Sequence, residues 1–95
     1  MNKKESTLVE IIASINEFDA EDVIFAKPKW TLNSEAEIFR LLEDGRVPGE
    51  AKRRGLEYFL EVDVVRQVLD EFLGRPGASI EEKCERIIHY ATYDA

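Results

Sequence analysis

Hydrophobic positions along this chain change period several times, and each change marks an element. Leu8, Ile11, Ile12 and Ile15 recur at helical spacing within about 100° of one another, with Glu10 and Glu17 on the opposite side. Thr7 and Glu10 supply the two halves of a capping box, each side chain satisfying a free backbone donor, so the spacing predicts a helix starting near Leu8. Asp19 to Asp22 interrupt the pattern. Val23-Ile24-Phe25-Ala26 is then a short β-branched and aromatic run stopped by Pro28, which has no N–H to give a ladder, and it reads as a first strand.

Ser34 to Leu42 admits two readings. Ser34 with Glu37 could cap a helix, but a strand over Ala36 to Leu42 is preferred because two strands alone make a marginal sheet. Asp44-Gly45 is a turn signal, and Val47 to Gly55 reads as an extended connection with room for one helical turn. Leu56 to Val62 alternates most clearly: Leu56, Tyr58, Leu60 and Val62 are predicted to face the core, with Glu57, Phe59 and Glu61 on the other face. Asp63 is placed as an N-cap for a helix carrying Val64, Val65, Val68, Leu69, Phe72 and Leu73, closed by Gly74. Ser79 and Glu82 suggest a second capping box, before a last helix with Ile80, Cys84, Ile87, Ile88 and Ala91 on one face. The expected fold is α+β: a small three-stranded antiparallel meander covered on one face by helices, order α-β-β-β-α-α, in one domain over residues 1–95 with 1–6 disordered.

Charge narrows the functional classes. The 95 residues carry a net −7, with 11 acids against 6 bases in residues 1–50 and 9 against 7 in residues 51–95. A surface of that sign repels phosphate backbones and forfeits counterion release, so nucleic acid is not an expected partner. Lys52-Arg53-Arg54 is the local exception and reads as a solvated loop or helix end. Apolar runs of only a few residues predict no membrane span, and a lone cysteine without a leader-like N-terminus points to the cytosol.

No catalytic constellation emerges. Cys84 and His89 are five residues apart, which on a helix separates them by about 140°, and Cys84 falls in the apolar stripe. His89 shares the outer face with Glu85 and Tyr93 at spacings of four residues. One histidine and one core cysteine make no metal site, and neither a phosphate loop nor a dinucleotide fingerprint occurs, so no cofactor or metal is expected. Glu57 and Glu61, on one strand face, would lie about 13 Å apart, wider than the carboxylate pairs that hydrolyse glycosides. The remaining signal is a recognition surface. Phe59 between Glu57 and Glu61 reads either as an aromatic anchor with a charged rim or as a ring packed under a loop or against a neighbouring strand. Trp30, after Lys27-Pro28-Lys29, either anchors a partner or closes one edge of the core. Asp19, Glu21 and Asp22 would extend the acidic rim.

The segment Ile24 to Trp30, followed by Gly55 to Val62, resembles a family of small bacterial domains of unknown function; in size and charge the chain resembles immunity proteins that neutralise secreted toxins. The resemblance implies binding and brings no catalytic residues. The expected function is therefore a bacterial, non-enzymatic binding protein whose acidic surface occludes a basic partner, such as a nuclease toxin. The alternatives are a small-molecule-binding or regulatory domain, with Trp30 and Tyr58 lining a pocket or a homodimer forming, and an enzyme with an unrecognised carboxylate site.

Overall fold

The structure, a computed structural model, describes residues 6–40, 49–72, 75 and 77–94. Its elements are β1 (Ser6–Thr7), α1 (Leu8–Ala13), β2 (Val23–Ala26), β3 (Glu35–Phe39), α2 (Gly49–Arg53), β4 (Glu57–Glu61), α3 (Val62–Leu69) and α4 (Ile80–Tyr93), with short 3-10 turns at Ile15–Glu17 and Asp70–Phe72. The α+β class holds, but the sheet has four antiparallel strands in the order β1-β3-β2-β4. Ser6, expected to be disordered, pairs with Ala36 in the edge strand β1. The predicted turn at Asp44-Gly45, the end of the Ala36 to Leu42 strand, and Leu73 and Gly74 lie outside the described residues.

The meander expectation is corrected. β2 is central, with β3 on one side and β4 on the other, and all four of its residues are buried. An uninterrupted apolar run belongs in the middle of a sheet covered on both faces, because neither side of it can meet water without cost. The chain therefore crosses from β3 to the far side of β2, and α2 lies on that crossing. One face of the sheet carries the main core, in which Leu8, Ile11, Ile12 and Ile15 of the first helical segment meet Ile24, Ala36, Leu60, Val65, Cys84 and Ile87. A smaller core of Val23, Phe25, Ala51 and Leu56 forms on the other face. Phe25 is central there, with Phe39 and Tyr58 edge-on at 5.6 and 5.9 Å.

A bulge in β4 overturns the predicted faces of that strand. Ile24 pairs with Leu60 but Phe25 pairs with Tyr58, so Phe59 is an extra residue and the alternation changes phase across it. Tyr58 and Glu61 lie on the Phe25 side, opposite Phe25 and Val23, while Glu57 and Leu60 lie on the helical side, opposite Ala26 and Ile24. Phe59 and Leu60 are both buried in the main core, and Tyr58, predicted to be core, is 44% exposed.

Local chemistry explains the helix ends. Thr7 Oγ1 accepts from Glu10 N, and Glu10 Oε1 accepts from Thr7 N at 2.8 Å, so the first capping box forms as predicted. At α4 the Ser79 hydroxyl accepts from Glu82 N at 3.1 Å. Asp63 is not an N-cap. β4 runs straight into α3, and the N–H of Val62 donates to the Asp22 carbonyl at 2.9 Å, so the neighbouring strand takes the place of a cap. Asp63 accepts instead from Gln67 one turn on, at 3.1 Å. α2 closes with Gly55 at φ +72°: Gly55 N donates to Lys52 O and Leu56 N to Ala51 O, the Schellman pattern, which delivers Leu56 into the smaller core.

Of the basic run, Lys52 and Arg53 are exposed at the end of α2, whereas Arg54 turns onto the sheet. Its guanidinium meets Glu35 at 2.8 Å, Glu37 at 2.9 Å and Glu50 at 3.1 Å, with the Glu35 and Glu37 side chains each about three-quarters covered. Replacing Arg54→Met keeps the stem but leaves Glu35 and Glu37 unpaired on one strand face. A loss of about 1–2 kcal/mol at pH 7 is expected, below the cost of breaking a fully buried pair because water still reaches the site. Urea unfolding of both proteins at pH 7 tests this, and equal midpoints would contradict it. For the bulge, Phe59→Ala removes a fully buried ring, and about 3–5 kcal/mol of stability should go with it in urea unfolding.

Candidate functional site

The segment joining β2 to β3 is held by its own backbone. Ser34 Oγ accepts from Thr31 N at 2.8 Å and donates to the Lys29 carbonyl at 3.1 Å, and Ser34 N donates to Thr31 O. Lys27 N bonds to Glu35 O where the strands begin to pair. The start of α1 then docks on this loop: Leu8 N donates to Ser34 O and Val9 N to Leu32 O, at 2.9 and 3.0 Å. Two of the amide groups that a helix leaves unpaired at its start are thus used to fix the loop that carries Trp30.

Trp30 is half-buried. Its indole N–H donates to the Ala26 carbonyl at 3.2 Å, and its ring meets Phe59 edge to face, centroids 4.8 Å apart. Of the two readings of Trp30, the structure shows a ring closing the core edge while keeping an exposed side. Phe59 is 2% exposed, and the reading of it as a surface anchor is corrected: as the bulge residue it is turned inward, where it supports Trp30 from below.

Open grooves flank the indole. One, of about 470 Å³, runs between Trp30 and Leu32 on the loop and Glu85, Ile88, His89 and Tyr93 on α4. The other, of about 450 Å³, lies between Lys29, Trp30, Glu57 and Ala91. Trp30 and Glu57, both chosen from sequence, therefore come together. Glu61 does not join them. It lies on the opposite face, accepting from the Tyr58 hydroxyl at 3.2 Å, so the expectation that Glu57 and Glu61 share a face is corrected by the bulge. The same phase change puts Tyr58 on the Phe25 face, away from Trp30, so among the described residues the two do not line one pocket.

Asp19, Glu21 and Asp22 gather around Arg40 at the Glu61 end of the sheet, at 2.9, 3.8 and 3.1 Å. Asp19 and Asp22 also tie the loop to itself through Asp19 N to Asp22 Oδ2 and Asp22 N to Asp19 O. The Arg40 guanidinium is held above its ordinary pKa by the hydrogen bonds it donates to Asp22 and Asp19. These acids have a partner within the chain, at the other end of β4 from Glu57.

The residues missed from sequence are on α4. From spacing, Glu85, His89 and Tyr93 form an outer face, but that face borders Trp30, with the His89 and Tyr93 rings 4.8 Å apart. Their four-residue spacing was visible; their neighbour across the groove was not. Cys84, one residue from Glu85, points the other way into the core, fully buried. Among the described residues, no group of three or more His, Cys, Asp or Glu is placed to hold a metal ion, and no helix is long and apolar enough to cross a membrane. No family model, curated protein or solved structure matches this chain.

Burial, then the charges of Glu85 and Glu81, push the Cys84 thiol up from 9.0 to about 12. The unfolded chain ionises first as pH rises, so it binds fewer protons than the folded one and stability falls between pH 9 and 12. The expected slope from this residue is up to about 1.4 kcal/mol per pH unit. Tyr58, raised by burial and then by Glu61, acts in the same direction. Urea unfolding of the wild type and Cys84→Ala from pH 8 to 11 isolates the thiol: parallel stability curves for the two proteins would contradict the prediction.

Proposed function

We propose that this chain is a binding module without catalytic activity that captures a basic protein partner, and that its specific form is an immunity protein occluding a basic toxin such as a nuclease. The observation that supports this reading is the carboxylate beside the aromatic grooves: Glu57 and Glu85 stand on either side of Trp30, and neither has an ion-pair partner among the described residues. The wider field has the same sign, since the chain carries −7. Opposite charge steers encounter and raises association rates by orders of magnitude, which suits a protein that must reach its target before the target acts. A standard interface of about 800 Å² per partner would take about an eighth of the 6240 Å² surface, and it needs no deep pocket.

A second reading, a small-molecule-binding domain, is favoured by the volume of the larger groove, which falls within the range of ligand sites. Salt separates the two. Association with the product of the adjacent gene, followed by surface plasmon resonance at 50 and 500 mM NaCl, should slow about 10-fold or more at the higher salt. The Glu57→Lys/Glu85→Lys double variant, altered only at exposed positions, should slow it further at low salt. No association, or association indifferent to both salt and charge reversal, would overturn the proposal.

A further inference from the structure

We infer that the groove between Trp30 and the C-terminal half of α4 receives an arginine side chain of the basic partner, an inference that rests on the protein-binding reading above. Three rings from two elements border this groove. The Trp30 N–H is already bonded to the Ala26 carbonyl, so what the indole offers the groove is π surface. His89 and Tyr93 face it from successive turns of α4, and Tyr93 is 73% exposed, a large aromatic held out in water on the last turn of the helix. Among the described residues, Glu85 is the one carboxylate in the lining, and no lysine or arginine lines the groove.

The faces of Trp30 and Tyr93, beside a carboxylate with no ion-pair partner among the described residues, attract a cation and repel an anion. An apolar occupant would desolvate Glu85 without giving its oxygens a partner. Of the two cationic side chains, arginine is the better match, because a planar and weakly hydrated guanidinium can lie against rings while its N–H groups reach a carboxylate. The neighbouring groove is less suited to a cation, since Lys29 lines it together with Glu57. Thr92, shared by both grooves, adds a hydroxyl, but that hydroxyl donates to the Ile88 carbonyl at 2.8 Å.

Trp30 is the only tryptophan in the chain, so its fluorescence reports directly on the groove. The probes are four capped tripeptides, acetyl-Gly-X-Gly-amide with X as arginine, its neutral isostere citrulline, lysine or leucine, titrated at constant ionic strength. The arginine peptide should give a saturable change, with citrulline and leucine about 5-fold weaker or more and lysine in between. Glu85→Gln and Tyr93→Ala, both at exposed positions, should each weaken the arginine peptide about 3- to 10-fold. Equal binding of arginine and citrulline, or no saturable change, would overturn the inference. Association of the whole protein partner with the same two variants keeps the two levels apart. Salt-dependent partner binding that ignores both substitutions removes the arginine and leaves the binding module standing. Arginine-peptide binding with no protein partner at any salt removes the module and the partner's arginine with it.

Discussion

One extra residue in β4 decides how this small domain distributes its side chains. A plain alternating strand would send Phe59 and Leu60 to opposite faces, yet both lie under the helical layer because the bulge shifts the phase between them. Upstream of the shift, Leu56 and Tyr58 serve the smaller core around Phe25 and Glu57 faces the helices; downstream, Leu60 serves the main core and Glu61 faces away from it. Trp30 rests on Phe59 and Glu57 flanks Trp30, so the candidate site depends on the bulge in both its floor and its rim.

The other requirement is a loop that holds its shape. Short loops between strands are commonly mobile, but residues 27–34 carry internal hydrogen bonds and receive the first two N–H groups of α1. α1 is itself anchored by Leu8, Ile11 and Ile12 in the main core and by its capping box. A partner meeting Trp30 therefore finds a wall already formed, and little ordering entropy remains to oppose association on that side. The α4 wall is built similarly: Cys84 and Ile87 hold the helix from within while Glu85, His89 and Tyr93 face outward.

Where local rules act alone, the sequence reading was accurate. The capping box at Thr7 and Glu10, the cap at Ser79, the strand at Val23 to Ala26, the buried Cys84 and the preference for a strand near Ala36 over a capped helix all follow from spacing and short-range chemistry. The failures are cases where a distant segment intervened. Asp63 looks like a cap until Asp22 is seen accepting from Val62, and the 56–62 alternation looks regular until β2 imposes a register with one residue too many. Ser6-Thr7 is too short to signal a strand; only Glu35 and Ala36 make it one. Phe59 and Tyr58 were exchanged between core and surface for the same reason. At the site, Trp30 and Glu57 were legible as chemistry, whereas Glu85, His89 and Tyr93 needed α4 to be placed across from the loop.

The acidity of the chain is sorted rather than cancelled. Arg40 gathers Asp19, Glu21 and Asp22, Arg54 gathers Glu35, Glu37 and Glu50, and Arg86 meets Glu71 and Asp94. In each group the carboxylates outnumber the arginine, so the pairing fixes loops and the sheet face without removing the negative field. The more exposed pairs, those of Arg40 and Arg86, contribute little stability one by one, and in all three groups the cation is used where its reach is local. That leaves the long-range field with carboxylates in excess, and the Trp30 grooves with Glu57 and Glu85 unpaired among the described residues. On the proposed reading, steering and discrimination would belong to different parts of the molecule: the summed charge would draw a basic protein in, while the rings beside Glu85 would select which of its side chains can be seated.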